Sequence, residues 1–83
     1  MSGRPVRWRY EGDSEDQARP GWLEGVTLST RAGLDAMRNE YVVVRERDGA
    51  SEPRVARVRG VTTERKVGVE LTVATLAWKD RPA

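Results

Sequence analysis

Cysteine and histidine are both absent from this 83-residue chain. Without cysteine there are no disulfides and no thiolate metal sites. Without histidine the commonest general base and the commonest metal ligand are missing. No apolar run approaches the roughly 18 residues of a membrane span. Met1-Ser2-Gly3-Arg4-Pro5 lacks the apolar region of a secretory signal, so the expectation is a cytoplasmic protein with no membrane partner. There is no phosphate-cradling Walker loop and no dinucleotide glycine pattern. Ser2, Ser14, Ser29 and Ser51 fall in turns or tails, where serine is an ordinary structural choice. With every usual catalytic constellation missing, we expect no enzyme, no catalytic residue, no metal and no cofactor.

What is present is β-rich. Tyr41 to Trp78 holds three runs dominated by β-branched residues: Tyr41-Val42-Val43-Val44, Val55-Ala56-Arg57-Val58 and Val67-Gly68-Val69-Glu70-Leu71-Thr72-Val73. Asp48 to Pro53 reads as the turn between the first two, and Gly60 to Lys66 as the next. Upstream, Val6-Arg7-Trp8-Arg9-Tyr10 alternates strictly, placing Val6, Trp8 and Tyr10 on one face and Arg7 and Arg9 on the other. Gly21 to Leu28 is a further strand, with Trp22, Val26 and Leu28 sharing a face; Glu24 intrudes on that face, so a bulge at Gly25 is expected. Arg31 to Met37 is expected to form a short helical turn capped by Ser29 or Thr30, with Leu34 and Met37 toward the sheet.

The expected fold is mostly β. One domain spans residues 1–83, a small antiparallel barrel or strongly bent sheet of five to six strands with one short helical turn. Residues 11–20 form an acidic loop and 79–83 a tail. Carboxylates at positions 11, 13 and 15 begin like a calcium loop, but Asp16 and Trp22 stand where that loop needs glycine and glutamate, so a solvated loop is expected. The expected core is Val6, Trp8, Trp22, Val26, Leu28, Leu34, Val43, Val58, Val67, Val69, Leu71 and Val73.

Two features leave the sheet's arrangement open. Tyr41 to Val44 is apolar on both faces, as in a barrel wall or a subunit contact. After Ala74 the apolar positions change parity, to Leu76 and Trp78, which calls for a bulge, a bend or a new strand. A closed barrel uses these residues internally and leaves a monomer. An open one favours a two-fold homodimer, to which the lack of proline between residues 54 and 81 inclines.

Net charge is only +2, yet thirteen of the fifteen basic residues are arginine. A genome rich in G and C produces that bias, and so does selection for planar, bidentate anion contacts. Arg45 to Lys66 carries seven basic against four acidic residues. Pairing Arg47 with Val55 would crowd Arg45 and Arg47 against Arg57 and Arg59. Pairing Arg47 with Arg54 mixes in Glu40 and Glu46, and is expected unless an anion sits there. Arg7, Arg9, Arg45, Arg57 and Arg59 are therefore the candidate anion ligands, for a nucleotide second messenger or for nucleic-acid phosphates. The alternatives are a protein-interaction module or homodimeric structural protein, and an SH3- or OB-like nucleic-acid binder.

From Val26 to Leu71 the chain resembles the second part of a PilZ domain. Leu28-Ser29-Thr30-Arg31-Ala32-Gly33-Leu34 is similar to that family's Asp/Asn-x-Ser-x-x-Gly segment and the hydrophobic residue after it. Ala56-Arg57-Val58 leading to Val67-Gly68-Val69-Glu70-Leu71 resembles its closing strands. The resemblance implies a small β-barrel adaptor that binds cyclic di-GMP, with Ser29 and Gly33 as ligand contacts. Thr27 stands where Asp or Asn belongs, the Ser29 to Gly33 interval is one residue longer, and no two arginines lie four apart. On this reading the chain is a degenerate member.

Overall fold

The structure is a computed structural model that describes residues 3–31, 40–47 and 52–79. Six strands close into one antiparallel barrel: β1 (Arg4–Tyr10), β2 (Arg19–Glu24), β3 (Thr27–Thr30), β4 (Tyr41–Glu46), β5 (Arg54–Lys66) and β6 (Val69–Trp78). Around the wall the order is β1-β2-β3-β6-β5-β4. A single 3-10 turn (Glu15–Gln17) interrupts the acidic loop. Most of the helical turn expected at residues 31–37, with Gly33 and Leu34, lies outside the described residues, as do positions 80–83 of the tail.

The interior is filled by one side chain from every second position. Val6, Trp8, Leu23, Leu28, Val42, Val44, Ala56, Val58, Ala74 and Leu76 form a single buried cluster, with Tyr10, Val61 and Trp78 packed against it. Burying a Val or Leu side chain fully is worth about 1.5–3 kcal/mol, so this cluster is the main source of stability. Gly21 lies in the wall because nothing larger fits. A Cβ there would sit 3.0 Å from the Ser29 carbonyl oxygen and 3.1 Å from the Trp8 ring. Among the described residues Thr30 is the one buried polar residue, and its hydroxyl donates to the Pro20 carbonyl at 3.0 Å. Proline is tolerated in β2 because β3 pairs only with Trp22 to Glu24, leaving position 20 with a ladder partner on β1 alone.

Several expectations are corrected. Gly25 (φ 63°) does not bulge one strand; it turns the chain between β2 and β3. Trp22 and Leu28 therefore lie on different strands, Leu23 points inward in place of Trp22, and Val26 is exposed in the turn. Arg19 and Pro20 belong to β2 rather than to the acidic loop. The stretch expected to turn, Gly60 to Lys66, continues β5, and the chain reverses at Val67-Gly68.

The parity change also resolves on an unexpected strand. Leu76 faces Val58 while Thr75 faces Gly60, so Arg59 is the extra residue of a bulge in β5. Side chains along β6 then alternate without interruption. Ala74, Leu76 and Trp78 point inward, and Val69, Leu71 and Val73 point out, opposite to expectation, although Leu71 is buried as expected. Val67, also expected in the core, is fully exposed at the hairpin tip.

The β4–β5 register is neither alternative weighed above. Val43 pairs with Val55 and Tyr41 with Arg57, a slide of four residues from the pairing of Arg47 with Val55. It aligns Val42 with Ala56 inside the barrel and Val43 with Val55 outside, so apolar matching on both faces overrides the charge argument. The two-faced character of this strand is real: Val42, Val43 and Val44 are all buried.

The hairpin tip carries backbone strain. Val67 (φ 49°) and Gly68 (φ 76°) form a two-residue turn with both residues left-handed, a conformation that favours Asn-Gly. A β-branched residue there costs about 1–2 kcal/mol. Val67→Asn is expected to stabilise the fold by about 1 kcal/mol, read as a higher urea midpoint with an unchanged m-value.

Candidate anion-binding groove

β1 and β4 lie side by side, and their outward residues build the site. Arg7 stands directly opposite Arg45, and Arg9 opposite Val43. Alternation along β1 makes this unavoidable: with Val6 and Trp8 committed to the core, both arginines must face outward. Val43 forms the floor of a groove of about 150 Å³, Arg7, Arg9 and Arg45 its walls, and Glu15 and Ala18 of the acidic loop a flap at one side.

Two of the arginines hold that loop. Arg45 Nη1 donates to Glu15 Oε2 at 2.6 Å. Arg9 Nη1 donates to the Asp13 carbonyl at 2.7 Å, with longer contacts to the carbonyls of Tyr10 and Glu11. Among the described residues Arg7 has no ion-pair partner, and the buried Nε of Arg45 has no hydrogen-bond partner. Like charges directly across a ladder destabilise it, and Glu15 is the carboxylate that relieves the Arg7–Arg45 pair.

The other candidates are placed elsewhere. Arg57 is exposed on the same outer face, beyond Tyr41 and outside the groove. Arg59, the bulged residue, is exposed on β5. Ser29 lies on the outer face of β3, in a separate groove of about 300 Å³ that includes Trp22, Leu71 and Val73. None of the five candidate arginines lines that groove, and Gly33 lies outside the described residues. A third cavity, about 380 Å³, opens on Leu23 and Val44. There Arg4 bonds Glu46 at 3.0 Å, and Arg54 lies 4.0 Å from the centroid of the Trp78 ring.

Sequence reasoning found the three arginines of the groove but missed Glu15 as part of it. The acidic loop reads as solvated, yet it folds back so that its 3-10 turn reaches Arg45. The only signal was an acidic segment following directly on a strand with two outward arginines. Comparison with family models, with curated proteins and with solved structures gives no match. No helix among the described residues is long and apolar enough to cross a membrane.

Proposed function

We propose that this barrel is a non-enzymatic binding module that takes a phosphate-bearing ligand on its β1–β4 face, with Arg7, Arg9 and Arg45 as the contacts. The observation that carries the reading is the direct opposition of Arg7 and Arg45 over an open groove where Glu15 is the one carboxylate among the described residues. Two planar guanidinium groups side by side suit the several oxygens of a phosphate. The groove is smaller than the roughly 300–1,000 Å³ of a site that encloses a whole drug-sized ligand, so it fits a charged group whose remainder lies on the surface. That favours a nucleotide over a long polyanion footprint. The PilZ resemblance adds cyclic di-GMP as the nucleotide to try first, although Ser29, its one described contact, lies in a different groove.

Isothermal titration with cyclic di-GMP and with a random oligonucleotide, each at two salt concentrations, tests the reading. Nucleotide binding is expected to weaken as salt rises, and Arg45→Ala to weaken it at least about tenfold, the worth of a hydrogen bond to a charged group. Affinity indifferent to both changes refutes the groove.

A second reading, a protein-interaction module or homodimer, draws on one observation. Trp22, Leu71 and Val73 lie together on the outside of the barrel, with Glu24, Glu64 and Lys66 at the rim. Closure of the barrel is the case in which a monomer is expected, and it removes the free strand edges, so a homodimer would have to use this face. Self-association here would hold its strength as salt rises, which separates the two readings.

A further inference from the structure

We infer that Glu15 is a built-in competitor for the arginine groove, and that an anionic ligand binds by displacing the acidic loop. The inference rests on the anion-binding reading above and concerns how that site is regulated. Two of the three guanidinium groups that would contact a phosphate also hold the loop: Arg45 through the Glu15 carboxylate, Arg9 through the Asp13 carbonyl. A carboxylate offers the same kind of oxygens as a phosphate, so the loop and the ligand cannot both use Arg45 Nη1 fully.

The loop is built to let go locally. Its base is fixed to the barrel by backbone bonds, Glu11 N to Tyr41 O at 3.0 Å and Asp13 N to Tyr10 O at 2.9 Å. The turn beyond is closed on itself. Ser14 N donates to Gln17 Oε1 at 2.9 Å, Gln17 N to Ser14 O at 3.0 Å and Ala18 N to Glu15 O at 3.2 Å. No residue of the turn is buried, so no apolar contact holds it down. The Glu15 and Arg45 side chains are 63% and 42% exposed, so water screens their pair and exchange is cheap. Arg45 Nε, covered and without a partner among the described residues, leaves the guanidinium unsaturated by the loop. A ligand oxygen reaching it gains a bond that Glu15 does not supply.

The test uses the full chain and inorganic pyrophosphate as probe, at low salt. Glu15→Gln is expected to bind it roughly three- to fivefold more tightly than wild type, the scale of losing one exposed ion pair. Glu11→Gln, the same charge change on the same loop away from Arg45, is expected to have a smaller effect. Saturating pyrophosphate is expected to shift the NMR signal of the wild-type Glu15 carboxyl carbon as its bond to Arg45 is released, while the Gln17 and Ala18 amides, bonded within the turn, keep their protection. If pyrophosphate binds wild type in a manner abolished by Arg45→Ala, while Glu15→Gln leaves affinity unchanged, competition is refuted and the groove stands. Equal tightening by Glu11→Gln, or an unmoved Glu15 carboxyl signal in the bound protein, also refutes it. No binding to either wild type or Glu15→Gln overturns the groove and the competitor together.

Discussion

Val42→Asp is expected to abolish folding. Val42 is fully buried, paired with Tyr10 of β1 on one side and Ala56 of β5 on the other. An aspartate there would find no buried cation to compensate it, since among the described residues the buried set holds no charged side chain. Burying an uncompensated carboxylate costs several kcal/mol, even when the group protonates to escape its charge. The whole stability of an 83-residue domain is roughly 4–12 kcal/mol, so the two are comparable. Val43→Asp supplies the contrast. One residue along, its side chain lies on the outer face beside three arginines, and that variant is expected to fold. Far-UV circular dichroism and amide dispersion read both. A folded Val42→Asp would mean that β4 is registered the other way round.

Trp8→Ala is expected to remove about 3–5 kcal/mol, the usual range for deleting a large buried aromatic. Trp8 is the largest fully buried side chain. It meets Tyr10 edge-on at 5.5 Å between ring centroids, and the Arg19 guanidinium lies 5.2 Å from its own. Its position also explains Gly21, whose missing Cβ leaves room for the indole. Trp8→Phe should be much milder, about 1–2 kcal/mol. The indole Nε1 is buried without a partner among the described residues, and an unsatisfied buried donor costs about 1–3 kcal/mol that phenylalanine does not incur. Urea unfolding of both variants checks this. Equal losses would show that a contact specific to the indole, rather than the volume it fills, decides stability at this site.

How far such positions were legible depends on the strand. β1 was readable from its alternation, and Val6 and Trp8 were placed correctly in the core. β4 was readable as a strand covered on both faces. β6 was misread because Val67, Val69, Leu71 and Val73 form a cleaner apolar series than Ala74, Leu76 and Trp78, yet the second series is the interior one. A small alanine at a crowded position carries no hydropathy signal, and the same blindness hid Ala56. The bulge did leave a trace: Ala56, Val58 and Val61 break period two by one residue, where Arg59 is extra.

What the sequence determined by itself is local: β-branched runs make strands, alternation on β1 sends Arg7 and Arg9 outward, and the absence of cysteine and histidine removes whole classes of chemistry. Tertiary structure decided which strands are neighbours. β1 pairs with β4 across some thirty residues of intervening chain, and only that closure sets Arg7 against Arg45 and brings Glu15 over them. Hydropathy within a strand says which residues share a face, whereas the partner across the ladder is chosen by closing the barrel around one core. Charge was therefore weighed between β4 and β5, where apolar matching won, while the arginine pair formed on the other side of β4.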